Sequence, residues 1–82
     1  MRQNKYIIFD NGLLDYIVVF PDGIQHADMD CDGQAISAGF IRLNQDTGLW
    51  ECYGESVSLE LEARPVDNII ANNQLPKMNF VS

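Results

Sequence analysis

Two apolar runs near the N-terminus dominate the hydrophobic pattern of the chain. Residues 6–9 (Tyr-Ile-Ile-Phe) and 16–20 (Tyr-Ile-Val-Val-Phe) are rich in β-branched and aromatic side chains, which favour strands. Neither run alternates apolar with polar residues, so both faces of these strands need cover from a helix, a second layer or another subunit. Asn11 and Gly12 tolerate positive φ, and the pattern therefore predicts a β-hairpin closed by a loop.

The middle of the chain predicts a short helix and a second hairpin. Residues 24–31 place Ile24, Ala27 and Cys31 on one helical face, which indicates the helix. Residues 35–43 and 49–54 flank a connector of turn-forming residues, which indicates the hairpin. Glycine at position 39, inside the first arm, indicates a bulge or the close approach of a large side chain.

The C-terminal part predicts one more strand and a longer helix. Residues 57–63 alternate apolar with polar side chains and predict a strand, with a helix as the alternative because leucine and glutamate are good helix formers. Residues 66–75 carry apolar side chains at helical spacing after Pro65. Asp67 then falls in the first turn, where a negative charge complements the helix dipole.

These elements predict an α+β fold within one globular domain spanning residues 1–82. Its antiparallel sheet consists of two hairpins plus a further strand, covered by one or two short helices, in the order ββαββ(β)α. Hydrophobic residues make up 46% of the 82 residues, which is enough for a core but leaves little volume for a deep pocket. Function is therefore expected on the surface or in a shallow groove.

The chain is strongly acidic, and its net charge limits the classes of partner that it is expected to bind. Twelve acidic and five basic side chains give a formal net charge of −7, and the stretch between Lys5 and Arg42 contains aspartates and no base. Such a field repels the phosphates of nucleic acids and anionic membranes, and it attracts basic proteins and hard cations. No apolar run approaches the ~20 residues that span a bilayer. Cys31 and Cys52, without a secretory leader, indicate reduced thiols in the cytoplasm.

Three segments carry a resemblance to known proteins: residues 20–29, 37–40 (Ser-Ala-Gly-Phe) and 52–59 (Cys-Tyr-Gly-Glu-Ser-Val-Ser-Leu). They resemble segments of small uncharacterised proteins encoded by bacteriophages and prophages. The resemblance implies a phage or prophage origin and the cytoplasm of a bacterial host. It brings no catalytic residues and no activity.

One acidic motif is a candidate calcium site. Asp28, Asp30 and Asp32, followed by Gly33, match the opening of an EF-hand loop, in which alternate carboxylates converge on one hard cation. The match then departs from the motif, because Gly39 stands where an EF-hand requires a bidentate glutamate. The motif therefore leaves two alternatives, a calcium-binding turn and an acidic turn exposed to solvent.

Catalytic motifs are absent from the sequence. His26 is the sole histidine and is expected at a helix start or on the surface. The cysteines lack the spacing of a zinc site, and Cys52 is expected to be buried beside Trp50. Residues 54–58 lack the second glycine of a serine nucleophile elbow. The sequence thus predicts a protein that is not an enzyme and has no cofactor.

The composition, size and motifs favour an acidic interaction protein. The leading hypothesis is a phage-encoded accessory factor or inhibitor that docks on a basic, nucleic-acid-binding host or defence protein, with carboxylates in place of phosphates. The alternatives are a Ca²⁺-binding module at the Asp28 turn and a self-associating structural phage protein that forms a homodimer. The predicted partner-binding residues are Asp28, Asp30, Asp32, Trp50, Glu60 and Glu62.

Overall fold

The chain forms a four-stranded antiparallel sheet, a separate two-stranded sheet and, within the described residues, one α-helix. The structure is a computed structural model and describes residues 4–29 and 31–75. The strand order of the larger sheet is β2-β1-β3-β4, and β5 pairs with β6. The elements are β1 (Asn4–Asp10), β2 (Asp15–Pro21), a 3-10 helix (His26–Asp28), β3 (Gln34–Asn44), β4 (Leu49–Tyr53), β5 (Glu55–Ser56), β6 (Leu61–Glu62) and α1 (Pro65–Gln74).

The predicted α+β class is confirmed, and so are both hairpins and the later helix. β1 pairs with β2, and β3 pairs with β4, each antiparallel. β1 also pairs with β3, which joins the two hairpins into one sheet. The register between β1 and β3 shifts at Ile8 and Phe9, so that Ile36 is left without a partner as a bulge.

The predicted order ββαββ(β)α is wrong at the position of its first helix. Only residues 26–28 are helical there, and they form a single 3-10 turn. Gln25 (φ −73°, ψ 143°) and Met29 (φ −88°, ψ 110°) have extended backbones on either side, so an α-helix cannot propagate. The α-helix among the described residues follows the last strand.

The single strand predicted over residues 57–63 is a turn followed by a two-residue strand. Residues 57–60 reverse the chain, and the Glu60 N–H donates to the Val57 carbonyl at 3.2 Å. Glu60 has φ +56°, which ends the extended backbone that alternation alone suggested. Leu59 and Leu61 still face inwards and pack against the main sheet.

Each face of the main sheet carries its own core. Tyr6, Ile8 and Ile41 point to the side covered by α1, where Ala71 meets them. Ile7, Phe9, Phe20 and Ala38 point to the other side, against Met29, Cys31, Leu59 and Leu61. The two unbroken apolar runs are thus covered on both faces within the chain, by a helix on one side and loop segments on the other.

Side chains of α1 also bind the backbones of both edge strands. On β4, Asn68 Oδ1 accepts the Cys52 N–H at 2.6 Å, and Asn72 Oδ1 accepts the Trp50 N–H at 2.7 Å. On β2, Gln74 Oε1 accepts the Ile17 N–H at 2.9 Å. Unpaired strand edges can recruit other strands, so these amides both fasten the helix and protect the sheet.

Candidate functional site

Acidic side chains lie on the outside of the two segments that cover the sheet face opposite α1. In the first segment, Met29 and Cys31 pack towards the sheet, while Asp28 and Asp32 are exposed. The Tyr16 hydroxyl donates to the backbone carbonyl of Asp32 and holds this segment against β2. Burial, followed by the nearby charges of Cys31 and Asp32, raises the pKa of Tyr16. Asp30 lies outside the described residues.

The second segment repeats this arrangement with glutamates. Leu59 and Leu61 pack towards the sheet, while Glu60 and Glu62 are exposed. Glu62 lies directly opposite Glu55 in the β5–β6 pair, and like charges at such positions repel each other. Together with Val57 and Leu61, the three glutamates line a shallow concavity of about 460 Å³. We call Asp28, Asp32, Glu55, Glu60 and Glu62 the acidic face.

No described basic side chain forms an ion pair with the acidic face. Each pairs with a different carboxylate instead: the Lys5 ammonium lies 4.0 Å from Asp22, Arg42 lies 3.0 Å from Glu51, and Arg64 lies 2.9 Å from Asp67. Hydrogen bonds from Asn44 and Arg42 lower the pKa of Glu51. The positive charge of the described residues is therefore engaged elsewhere, and the acidic face keeps its negative field.

Trp50, the predicted aromatic anchor, lies on the other side of the sheet. Its ring is half-buried against the core on the α1 side, and both its backbone N–H and its carbonyl bind Asn72. The structure thus brings the described carboxylates of the prediction to one sheet face and separates Trp50 from them. Its role in partner binding stays a prediction.

The described part of the chain offers no metal centre. No three His, Cys, Asp or Glu side chains come together there in a way that could hold an ion. Asp28 and Asp32 are both exposed, and the carboxylate between them in sequence belongs to Asp30, outside the described residues. The calcium hypothesis gains no support from the described carboxylates.

His26 begins the 3-10 helix, as predicted, but it is buried rather than on the surface. Its ring is only 5% exposed and makes edge contacts with Phe20 and Phe40 at centroid distances of 5.4 and 6.0 Å. Nε2 lies 2.9 Å from the Gly39 carbonyl. A carbonyl can only accept, so Nε2 carries a proton and donates to it.

A buried polar cluster fixes α1 to the sheet. The Asp67 carboxylate is wholly buried, although position 67 was expected only to complement the helix dipole. The Tyr6 hydroxyl donates to its Oδ2 at 2.6 Å, and the Arg64 backbone N–H donates to the same atom at 2.9 Å. Arg64 Nε donates to Oδ1 at 3.0 Å. Burial and then the hydrogen bond to Asp67 raise the pKa of Tyr6 far above its ordinary value.

Cys52 lies beside this cluster and is held as a thiol. Burial, followed by the charge of Asp67, raises the pKa of Cys52 from 9.0 to about 12, and a hydrogen bond with Tyr6 opposes the shift. The thiolate is the nucleophilic form of cysteine, so this environment disfavours a catalytic role for Cys52.

We expect the protein to lose stability as the pH rises above about 9, because the unfolded chain then releases a proton from Cys52 that the folded chain retains. The folded-state pKa of Cys52 lies above its unfolded-state pKa, so the contribution of this thiol to stability is complete below the unfolded-state pKa. It is lost as the pH rises from the unfolded-state pKa towards the folded-state pKa, and stability therefore declines with pH. One proton limits the slope to about 1.4 kcal/mol per pH unit. Urea denaturation between about pH 8.5 and 9.5 measures it, below the range where Tyr6 ionises in the unfolded chain.

The matched pair for this experiment is Cys52→Ala and Cys31→Ala. The first substitution should flatten the decline, and the second should retain it because the Cys52 thiol is still present. An unchanged slope in Cys52→Ala would show that another group is responsible.

Sequence reasoning missed Glu55 and Val57 as members of this surface. Glu55 joins it only through the β5–β6 pairing, and Val57 is 80% exposed because the turn directs it outwards. Strict alternation at 57–63 had placed Val57 among the buried residues. An exposed apolar residue at a turn can be found only when the turn itself is known.

Comparisons with known proteins give no family for this chain. No protein-family model, curated protein or solved structure matches it. Within the described residues, no helix has the length and apolar character needed to cross a bilayer.

Proposed function

We propose that the protein is a non-enzymatic interaction protein whose acidic face docks on a basic partner. One observation carries this proposal: two separate segments cover the same sheet face and turn their carboxylates outwards, while the described basic side chains pair with other acids. A surface of this kind favours a positively charged partner through long-range attraction and through pairing at contact.

The partner class follows from the chemistry of the carboxylates. A protein that binds nucleic acid presents a lysine- and arginine-rich surface complementary to phosphates. Carboxylates on a rigid sheet present negative charge to the same surface, so bound protein would occlude it. With the phage resemblance of the sequence, this supports an accessory factor or inhibitor directed at a host enzyme or defence nuclease in the bacterial cytoplasm.

The surroundings of Cys52 and His26 fit a binding role. Burial keeps Cys52 protonated, and the single histidine of the chain is enclosed by two phenylalanine rings with Nε2 engaged by Gly39. An activated cysteine or serine requires a lowered pKa or an adjacent base. Cys52 has a raised pKa instead, and His26 Nε2 is already engaged by the Gly39 carbonyl.

The test is capture of a partner from bacterial lysate at low salt, followed by competition with DNA. We expect a basic nucleic-acid-binding protein that is released by salt and by excess DNA, because both compete for the same charges. Recovery of no basic protein at low salt would overturn the proposal.

Charge variants then separate the acidic face from net charge. Glu60→Gln with Glu62→Gln should weaken capture about tenfold, assuming roughly 0.7 kcal/mol for each pair lost. Asp15→Asn with Asp46→Asn removes the same charge from the start of β2 and from the β3–β4 loop, and neither carboxylate forms an ion pair with a described residue. This control should bind nearly as well as the wild type, and equal losses would mean that only net charge is recognised.

A further inference from the structure

A second groove adjoins the acidic concavity and differs from it in character. It has a volume of about 630 Å³ and lies between the start of β1, the 3-10 helix and the β5 turn. Glu55 and Val57 line both depressions, so the two form one continuous surface. We call the second depression the Val57 groove, and the lining residues that matter here are Lys5, His26, Phe40, Glu55, Ser56 and Val57.

The Val57 groove has apolar walls. Phe40 is half-buried and stacks on Tyr53, with ring centroids 5.9 Å apart, so its ring is held in place. Val57 is 80% exposed, an arrangement that leaves an apolar side chain in water. A partner side chain lying between them would remove apolar area from water on both walls.

The acceptors nearest the groove are carboxylates at its rim. His26 Nε2 lies 2.9 Å from the Gly39 carbonyl, so this atom of the lining is already engaged. The Glu55 carboxylate lines the groove, and Glu62 lies directly opposite it in the β5–β6 pair. The rim thus offers two carboxylates to a donor.

The charged groups around the groove favour a cationic donor. Lys5 is the one basic residue among those lining it, but its ammonium donates to the Ile24 carbonyl at 2.9 Å and lies 4.0 Å from Asp22. Its ammonium is thus engaged by Ile24 and Asp22, whereas Glu55, Glu60 and Glu62 have no ion-pair partner among the described residues. A cation at this end would also relieve the repulsion between Glu55 and Glu62.

We infer that the Val57 groove binds a lysine or arginine side chain from a basic segment of the partner. The aliphatic stem lies between Phe40 and Val57, and the charged head reaches Glu55 and Glu62. Basic side chains commonly divide in this way, with the stem on apolar surface and the head among polar groups. This inference rests on the proposed function and adds the position of the anchor, which acidity alone does not give.

The test uses the full chain, labelled with ¹⁵N, and two synthetic peptides: one alternating arginine with glycine, the other carrying glutamine in place of each arginine. The arginine peptide should shift the amide resonances of His26, Phe40 and residues 54–58. The glutamine peptide should leave them in place. Equal binding of both peptides would overturn the inference, because the groove would then not recognise a cation.

Two exposed-residue variants with matched controls locate the anchor. Val57→Ser and Glu55→Gln should each weaken binding of the arginine peptide about three- to fivefold, from lost apolar contact and a lost ion pair respectively. Leu13→Ser, at a side chain that is 90% exposed on the β1–β2 loop, and Asp46→Asn should change it less than about twofold.

The outcomes separate this inference from the proposed function. If Val57→Ser and Glu55→Gln bind like the wild type while a basic partner is still captured, the groove is not the anchor and the proposed function stands. If Asp46→Asn weakens binding as much as Glu55→Gln, attraction is diffuse and the groove assignment is wrong. If the wild type binds neither the arginine peptide nor any basic protein, both proposals fail together.

Discussion

Replacement of Asp67 by alanine should lower the free energy of unfolding by about 2–4 kcal/mol, because a buried acceptor of several hydrogen bonds is lost. The carboxylate is wholly buried and accepts from the Tyr6 hydroxyl, the Arg64 backbone N–H and Arg64 Nε. Alanine would leave the buried Tyr6 hydroxyl without an acceptor, whereas the Arg64 side chain is 35% exposed and can still bind water. It would also remove the acidic residue from the first turn of α1.

Urea denaturation at neutral pH measures this effect, with Asp67→Asn and Asp46→Ala as companions. Asparagine keeps one acceptor oxygen and should cost less than alanine. Asp46 is exposed on the β3–β4 loop, so its replacement should change stability by less than about 0.5 kcal/mol. If Asp67→Ala proves too unstable to fold, the stability of Asp67→Asn can still be compared with that of Asp46→Ala and of the wild type. A loss in Asp67→Ala no larger than in Asp46→Ala would show that the buried cluster contributes little.

Asp67 illustrates which features of this fold can be predicted from the sequence and which cannot. Its place near the start of a helix was predicted from Pro65 and the apolar spacing, because those preferences act between neighbours in the chain. Its burial depends on Tyr6, which is 61 positions away. No local pattern shows that a first-turn carboxylate will meet a tyrosine from the first strand.

The hairpins were predictable for a related reason. Strand pairs joined by short turn-rich connectors are local in sequence, and both pairs of strands appear where the apolar runs place them. The joining of the hairpins through β1 and β3 is not local and was not predicted. It decides which segments lie over which sheet face, and therefore which carboxylates share a surface.

The asparagines of α1 show a preference that tertiary structure overrides. Asparagine is a poor helix former, so Asn68 and Asn72 argue weakly against the helix that they occupy. Their side chains instead accept the Cys52 and Trp50 N–H groups at the edge of β4. Two amides four residues apart on one helix face could have indicated this role, but only once an edge strand was known to lie beside them.

Most of the carboxylates of the acidic face were predicted from the sequence, but their arrangement on one surface was not. Alternation gave the outward direction of Glu60 and Glu62, and the structure agrees despite the turn that replaces the strand. The inward direction that alternation predicted for Val57 is wrong, because residues 57–60 form a turn and the strand begins only at Leu61. The contribution of Val57 to the proposed binding groove therefore becomes visible only in the structure.

Replacement of Gly39 by alanine should lower the free energy of unfolding by about 2–3 kcal/mol, as overpacking of a filled core does. The expected bulge lies at Ile36 instead, and Gly39 is required by close approach of backbone rather than of a large side chain. A Cβ at this position would lie 2.5 Å from the Tyr53 carbonyl oxygen and 3.3 Å from the Gly54 carbonyl. These are backbone atoms at the end of β4, so relief requires the strands to move apart.

The same displacement would reach the Val57 groove, which makes Gly39→Ala informative beyond stability. The Gly39 carbonyl lies 2.9 Å from His26 Nε2, and the residues that alanine would contact, Tyr53 and Gly54, lead directly into β5. We therefore expect shifted His26 ring resonances and weaker arginine-peptide binding even under conditions where the variant remains folded. Gly23→Ala is the control, since a Cβ there meets nothing within 4 Å, and its stability should be unchanged or slightly raised. Stability equal to the wild type in Gly39→Ala would mean that β3 and β4 can separate at no cost, and the tight packing described for this position would be wrong.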